Sequence, residues 1–143
     1  MDLALWFRFR ATPGHMWRVF LATDGHIHDV YRDGGDRIIG LTVFAPRIIL
    51  VDAGLSAEAR EETLLHEMMH ASLHGIDSDA EFAAVGIRCK SKEADAEEHM
   101  IRVLSPRLYP ILRRSHWRPP ALSVEARALV RRCQRKERIA DDE

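Results

Sequence analysis

The stretch HEMMHASLH, residues 66 to 74, sets three histidines four residues apart, with a glutamate directly after the first. Residues four apart on an α-helix lie one turn, roughly 6 Å, along the same face, so the rings of His66 and His70 can converge on one Zn²⁺. Glu67 is one residue round the helix, too divergent to join that coordination sphere but within reach of a water beside it. Two imidazoles and a carboxylate base in this order are the parts of metal-assisted hydrolysis. His74 stands two turns, roughly 12 Å, from His66, so three rings cannot share one ion. It is left to support the site, face substrate or face solvent. The longer HExxHxxGxxH pattern is not met, because position 73 is Leu and position 76 is Ile.

A catalytic zinc usually takes three protein ligands and one water. The segment KEADAEEHMIRVL, residues 92 to 104, offers the third. On a helical wheel Val103, Ala96, Met100, Leu104, Ile101 and Ala94 form an apolar arc that contains Glu97, while Glu98, Asp95, His99 and Arg102 lie outside it. A carboxylate on a core-facing stripe is costly unless it is paired or bound to metal. Glu97 is therefore the expected third ligand, with Glu98 its competitor and expected to point out beside Arg102. Glu93, one turn earlier, is a candidate supporting partner. For the oxyanion, His74, His99 and Tyr109 are each candidates.

Helices and strands must position these groups. The first third reads as short apolar runs, LALWFRF, HMWRVFLA, HIHDVYR, RIIGLTVF and RIILVD, separated by turn residues, which predicts a small antiparallel meander closed by a tight hairpin at Ala45-Pro46. From Ser56, a candidate N-cap, the period becomes helical and runs to Gly75. DSDAEFAAV predicts a short helix, and Glu93 to Leu104 a longer one. Ser105-Pro106 reads as the cap and first residue of another, and the prolines at 119 and 120 precede a basic C-terminal helix. The expected class is α+β, a single domain over 1–143: strands to 54, metal-site helices over 55–118, and the basic helix and tail over 119–143.

RIILVD, then LSAEAREETLLHEMMHA, then EEHMIRVL resembles the small zinc metallopeptidases of the ImmA/IrrE type, including compact phage-encoded relatives. The resemblance covers roughly residues 37 to 112. It implies a zincin-like fold, one Zn²⁺ per chain, two histidine ligands from HExxH with its glutamate catalytic, and a glutamate on the next helix completing the site. EEHMI departs from the small-residue run usual after that ligand. In zincin-like folds an edge strand commonly lines the cleft and pairs with an extended peptide, a place RIILVD would take; the alternative is a plain core strand.

The formal net charge is −1, which implies no strongly charged partner globally, but residues 55–100 hold eleven acids against four bases and 110–138 nine bases against two acids. RRCQRKER in the tail reads first as a solvated helix face and second as a contact for nucleic acid phosphate. Cys89 and Cys133 form no CxxC pair, which fits a reducing, cytoplasmic setting, and the arginines within the first apolar run suit neither a secretory signal nor a membrane span. The expected activity is hydrolysis of a protein or peptide by zinc-activated water with Glu67 as general base. The rival expectation is a non-catalytic, metal-stabilised module that binds a regulatory protein or DNA.

Overall fold

A computed structural model describes residues 1–11, 14–31, 37–74, 78–84, 86 and 96–142. Gly75, Cys89 and Glu93 lie outside the described residues. The elements run β1 (Leu3–Ala11), β2 (His15–Ala22), α1 (Asp24–Val30), β3 (Gly40–Val43), β4 (Ile48–Asp52), α2 (Ala57–Ser72), α3 (Ser78–Ala84), α4 (Ala96–Arg114) and α5 (Val124–Asp141). The class is α+β, built on a four-stranded sheet of order β1-β2-β4-β3.

That sheet is mixed where a meander was expected. HIHDVYR does not form a strand: Thr23 caps a helix there, its Oγ1 accepting from the His26 N–H at 3.2 Å, and Ile27 buries as its core residue. With α1 as part of the crossover, β4 returns parallel to β2, Arg18 to Ala22 pairing with Ile48 to Asp52. The expected hairpin does form. Arg47 N–H donates to the Phe44 carbonyl at 3.1 Å and β3 pairs antiparallel with β4. RIILVD is thus an interior strand between β2 and β3, and the edge strand beside α2 is β3.

One sheet face carries the main core, where Trp17, Val19, Leu21, Ile49 and Val51 meet Leu64 and Ala71 of α2 and Leu129 of α5. The other face has a smaller cluster around Ala22, Leu50 and Ile27. Ser56 caps α2, its Oγ accepting from the Ala59 N–H. The buried positions of α2 are Arg60, Thr63, Leu64, Glu67 and Ala71, so the helix is turned toward Glu67 relative to its purely apolar arc. Helix α4 runs unbroken through Pro106 and Pro110, where a helix start had been expected. Both prolines, four residues apart, are exposed, so the carbonyls that lose a helical partner lie on the wet flank, where water can replace it.

Candidate metal centre

Helices α2 and α4 and strand β3 enclose an open cleft of about 680 Å³, lined by His66, Glu67, His70 and Glu98 and walled by Ile39, Gly40 and Leu41. Strand β3 approaches α2 closely because residue 40 is glycine. A Cβ there would meet Thr63 Cγ2 at 2.6 Å and Glu67 Oε1 at 2.9 Å, the first of which is inside any tolerable contact.

Glu67 is 7% exposed and held from the strand side. Thr42 Oγ1 donates to Glu67 Oε2 at 2.6 Å, and the same hydroxyl lies 3.2 Å from the Glu67 carbonyl oxygen. Burial pushes the Glu67 carboxyl above its ordinary range, against the Thr42 hydrogen bond and the charge of His70. A carboxyl biased toward taking a proton, yet still lining the cleft, has the character a general base needs.

His66 and His70 lie side by side, ring centroids 5.1 Å apart. Glu98 spans them: Oε1 is 3.4 Å from His66 Nε2 and Oε2 is 2.6 Å from His70 Nε2. One ligand atom from each of His66, His70 and Glu98 can be chosen so that all lie within 4.8 Å of one another. Glu97 is at the opposite side of the His70 ring, its Oε1 2.7 Å from Nδ1. An ionised carboxylate can only accept, so Nδ1 carries the proton and Nε2 is the nitrogen turned toward the cleft. A carboxylate behind a histidine in this way fixes the tautomer and aim of a metal-binding ring.

The two glutamates therefore stand differently from the expectation that Glu97 is the ligand and Glu98 points away. Glu98 does accept from Arg102 Nε at 2.8 Å, as an outward residue would, but it also faces both Nε2 atoms. Beyond Ala96 at its start, α4 buries Ile101, Ser105 and Tyr109, a stripe rotated about 100°, or one residue, from the arc of apolar types alone. Tyr109 belongs to that stripe because its hydroxyl donates to Glu61 Oε2 at 2.6 Å and accepts from Arg113 Nη1 at 3.1 Å. A polar side chain whose hydrogen bonds are satisfied can be buried, and a wheel of apolar types misses it.

Burial lowers the His66 pKa and outweighs Glu98, while His70, though burial also lowers it, is raised on balance by the Glu97 hydrogen bond and the charges of Glu67, Glu98 and Glu97. Glu98 is held below the ordinary carboxylate range: burial raises it, but His66, His70 and the Arg102 bond prevail.

His74 is drawn elsewhere. Its ring stacks on Phe44 at 5.0 Å and meets Trp17 edge-on at 5.9 Å, fastening the end of α2 to the β3–β4 turn. Neither His74 nor Tyr109 nor His99 lines the cleft, whereas Tyr31, Arg37 and Arg102 do. Thr42 and Gly40 were not visible as site residues in the sequence. Their only signal was a small and a hydroxyl residue, two apart, in a strand preceding the motif. Comparison with protein-family models, with characterised proteins and with solved structures finds no match. Among the described residues no helix is long and apolar enough to cross a membrane.

Proposed function

We propose that this chain is a zinc-dependent hydrolase of the zincin-like kind, a metallopeptidase acting on a protein or peptide, with Glu67 as its base. The observation that carries the reading is His70, which has a carboxylate oxygen within 2.7 Å of each ring nitrogen. A neutral imidazole has one N–H and cannot donate to both. The Nε2 side calls for a second positive centre: at 2.6 Å the contact holds a proton, and a metal ion shared with His66 and Glu98 would take that proton's place. Two imidazoles and a carboxylate are a usual catalytic zinc donor set, and Glu97 behind Nδ1 is the supporting carboxylate such a set employs.

When bound, the ion would acidify a water and polarise the carbonyl to be cleaved. Glu67 would take a proton from water in the cleft as its oxygen adds to the carbonyl carbon, and return it to the leaving amine as the C–N bond breaks. Thr42 fixes one carboxylate oxygen, which leaves Oε1 as the oxygen free for this exchange. An extended peptide laid along β3 would pass the cleft at Ile39 to Leu41, adding a strand to the sheet edge. The test is zinc content together with cleavage of labelled casein. Stoichiometric zinc and a chelator-sensitive cleavage that Glu67→Gln abolishes are expected; a protein that binds no zinc at micromolar concentrations would overturn the reading.

A further inference from the structure

Among the described residues, the outer face of the sheet, opposite α2, is covered at one end only. Helix α1 places Ile27 over Ala22 and Leu50. Along the ladders the same face continues to Arg8 opposite Arg18, Arg10 opposite Met16, and Ile48 beside Arg18. Arg8, Arg10, Met16 and Arg18 are exposed. Like charges directly opposite on neighbouring strands are destabilising, and such pairs are ordinarily relieved by a nearby carboxylate. Here, among the described residues, the side chains of Arg8 and Arg10 have no ion pair or hydrogen bond, and the Arg18 side chain has only the Phe20 ring, 5.5 Å from its guanidinium carbon. Arg47, whose carbonyl accepts from the Arg18 N–H at 3.1 Å, is a further basic residue in the turn next to Arg18. The chain retains repulsion that it could have relieved, on an otherwise open surface.

We propose that this half-open face is a binding surface for single-stranded nucleic acid. Guanidiniums on alternate residues of one strand and across to the next follow an anionic backbone. Met16, Ile48 and the arginine-stacked Phe20 between them offer apolar surface to bases, which a duplex keeps within its own stack. The inference stands apart from the hydrolase reading, since the face lies across the sheet from the α2 cleft and uses none of its residues. It also differs from a tail interface, because α5, which carries the tail's arginines, packs on the other face of the sheet.

Fluorescence anisotropy of the full-length protein, with a labelled 20-nucleotide single-stranded DNA and its RNA counterpart at 50 mM salt, tests it. Binding with a dissociation constant on the order of 10⁻⁴ to 10⁻⁶ M is expected, with a salt slope of about −0.7 for each phosphate neutralised. Each of Arg8→Gln, Arg10→Gln and Arg18→Gln should weaken binding about two- to fourfold, and the triple variant about tenfold or more, with a salt slope shallower by about 2. Arg131→Gln with Arg135→Gln on α5 should leave binding unchanged. Relief of repulsion should raise the melting temperature of Arg18→Gln by about 1–3 °C, a readout that needs no ligand. Loss of binding in the α5 variant but not the sheet variants overturns the proposal. So does tighter binding of a duplex, equal competition by polyglutamate, or no binding below 100 µM on the order expected for non-specific contacts.

Discussion

Two places in this fold gather carboxylates, and they neutralise them differently. At the end of β4, Asp52 is 2% exposed and accepts from the Gly54 N–H and from Arg37 Nη2, both at 2.8 Å. Arg37 also reaches Glu137 at 3.2 Å and stands 3.9 Å from Asp24. Its own guanidinium, permanently charged, supplies the cation that three carboxylates need. In the cleft, Glu97 and Glu98 close on His70, and Glu98 on His66, groups whose charge depends on protonation or on an ion from solution. The half-exposed Arg37 makes a fixed ionic knot, while imidazoles leave the cationic place in the cleft open to exchange.

The sharpest break of that comparison is Glu67→Gln. It should lower hydrolysis of labelled casein by about 10²- to 10⁴-fold while zinc content, by elemental analysis, and melting temperature stay near wild type, because an amide can take no proton from water. Unchanged cleavage would remove Glu67 from the mechanism. Ranking next are the proposed ligands. His66→Ala, His70→Ala and Glu98→Ala should each weaken zinc binding more than Glu97→Ala, for which a loss of about 10- to 100-fold is expected from its supporting position. Competition with a chromogenic chelator reads all four, and a greater loss in Glu97→Ala than in Glu98→Ala would restore the assignment made from the apolar wheel.

Smaller effects separate the knot from the cleft. Arg37→Ala leaves the buried Asp52 carboxylate with its backbone partner alone, and should cost about 1–3 kcal/mol in urea melts. Glu137→Gln, at a half-exposed end of the same cluster, should stay within about 0.5 kcal/mol, as exposed pairs do. Equal costs would mean that Arg37 acts through packing and not through Asp52.

The smallest signal is in pH. In metal-free protein His70 should titrate above and His66 below the ordinary histidine value of about 6.5, as histidine NMR shifts will show. A raised His70 contributes stability that is present below about 6.5 and lost as pH rises through its folded value. A depressed Glu98 contributes stability that is present above about 4.3 and lost as pH falls through its folded value. The metal-free pair is therefore worth most between those limits, and zinc should abolish both histidine titrations.

Local chemistry was readable in the chain itself. Ser56 caps α2 through an atom three residues away, the β3–β4 turn closes within Phe44 to Arg47, and the four-residue step from His66 to His70 fixes both rings on neighbouring turns whatever else surrounds them. Each depends on backbone geometry within one or two turns. The same locality misled where a short apolar run could be strand or helix: Thr23 supplied a cap, and the parallel pairing of β2 with β4 followed from it.

Which glutamate faces both histidines depended on how α4 rolls against α2, and that roll is set by side chains such as Tyr109 and Glu61, 48 residues apart. Which strand walls the cleft depended on the order of the whole sheet. That Gly40 and Thr42 pack against Glu67 depended on β3 lying flush against α2, 25 residues from Thr42 to Glu67. The sequence alone determined the reactive groups and their spacing along one helix, because those are fixed by a repeating backbone. Only the tertiary structure decided what stands across from them, because packing weighs shape and hydrogen-bond satisfaction between segments that have no fixed relation along the chain.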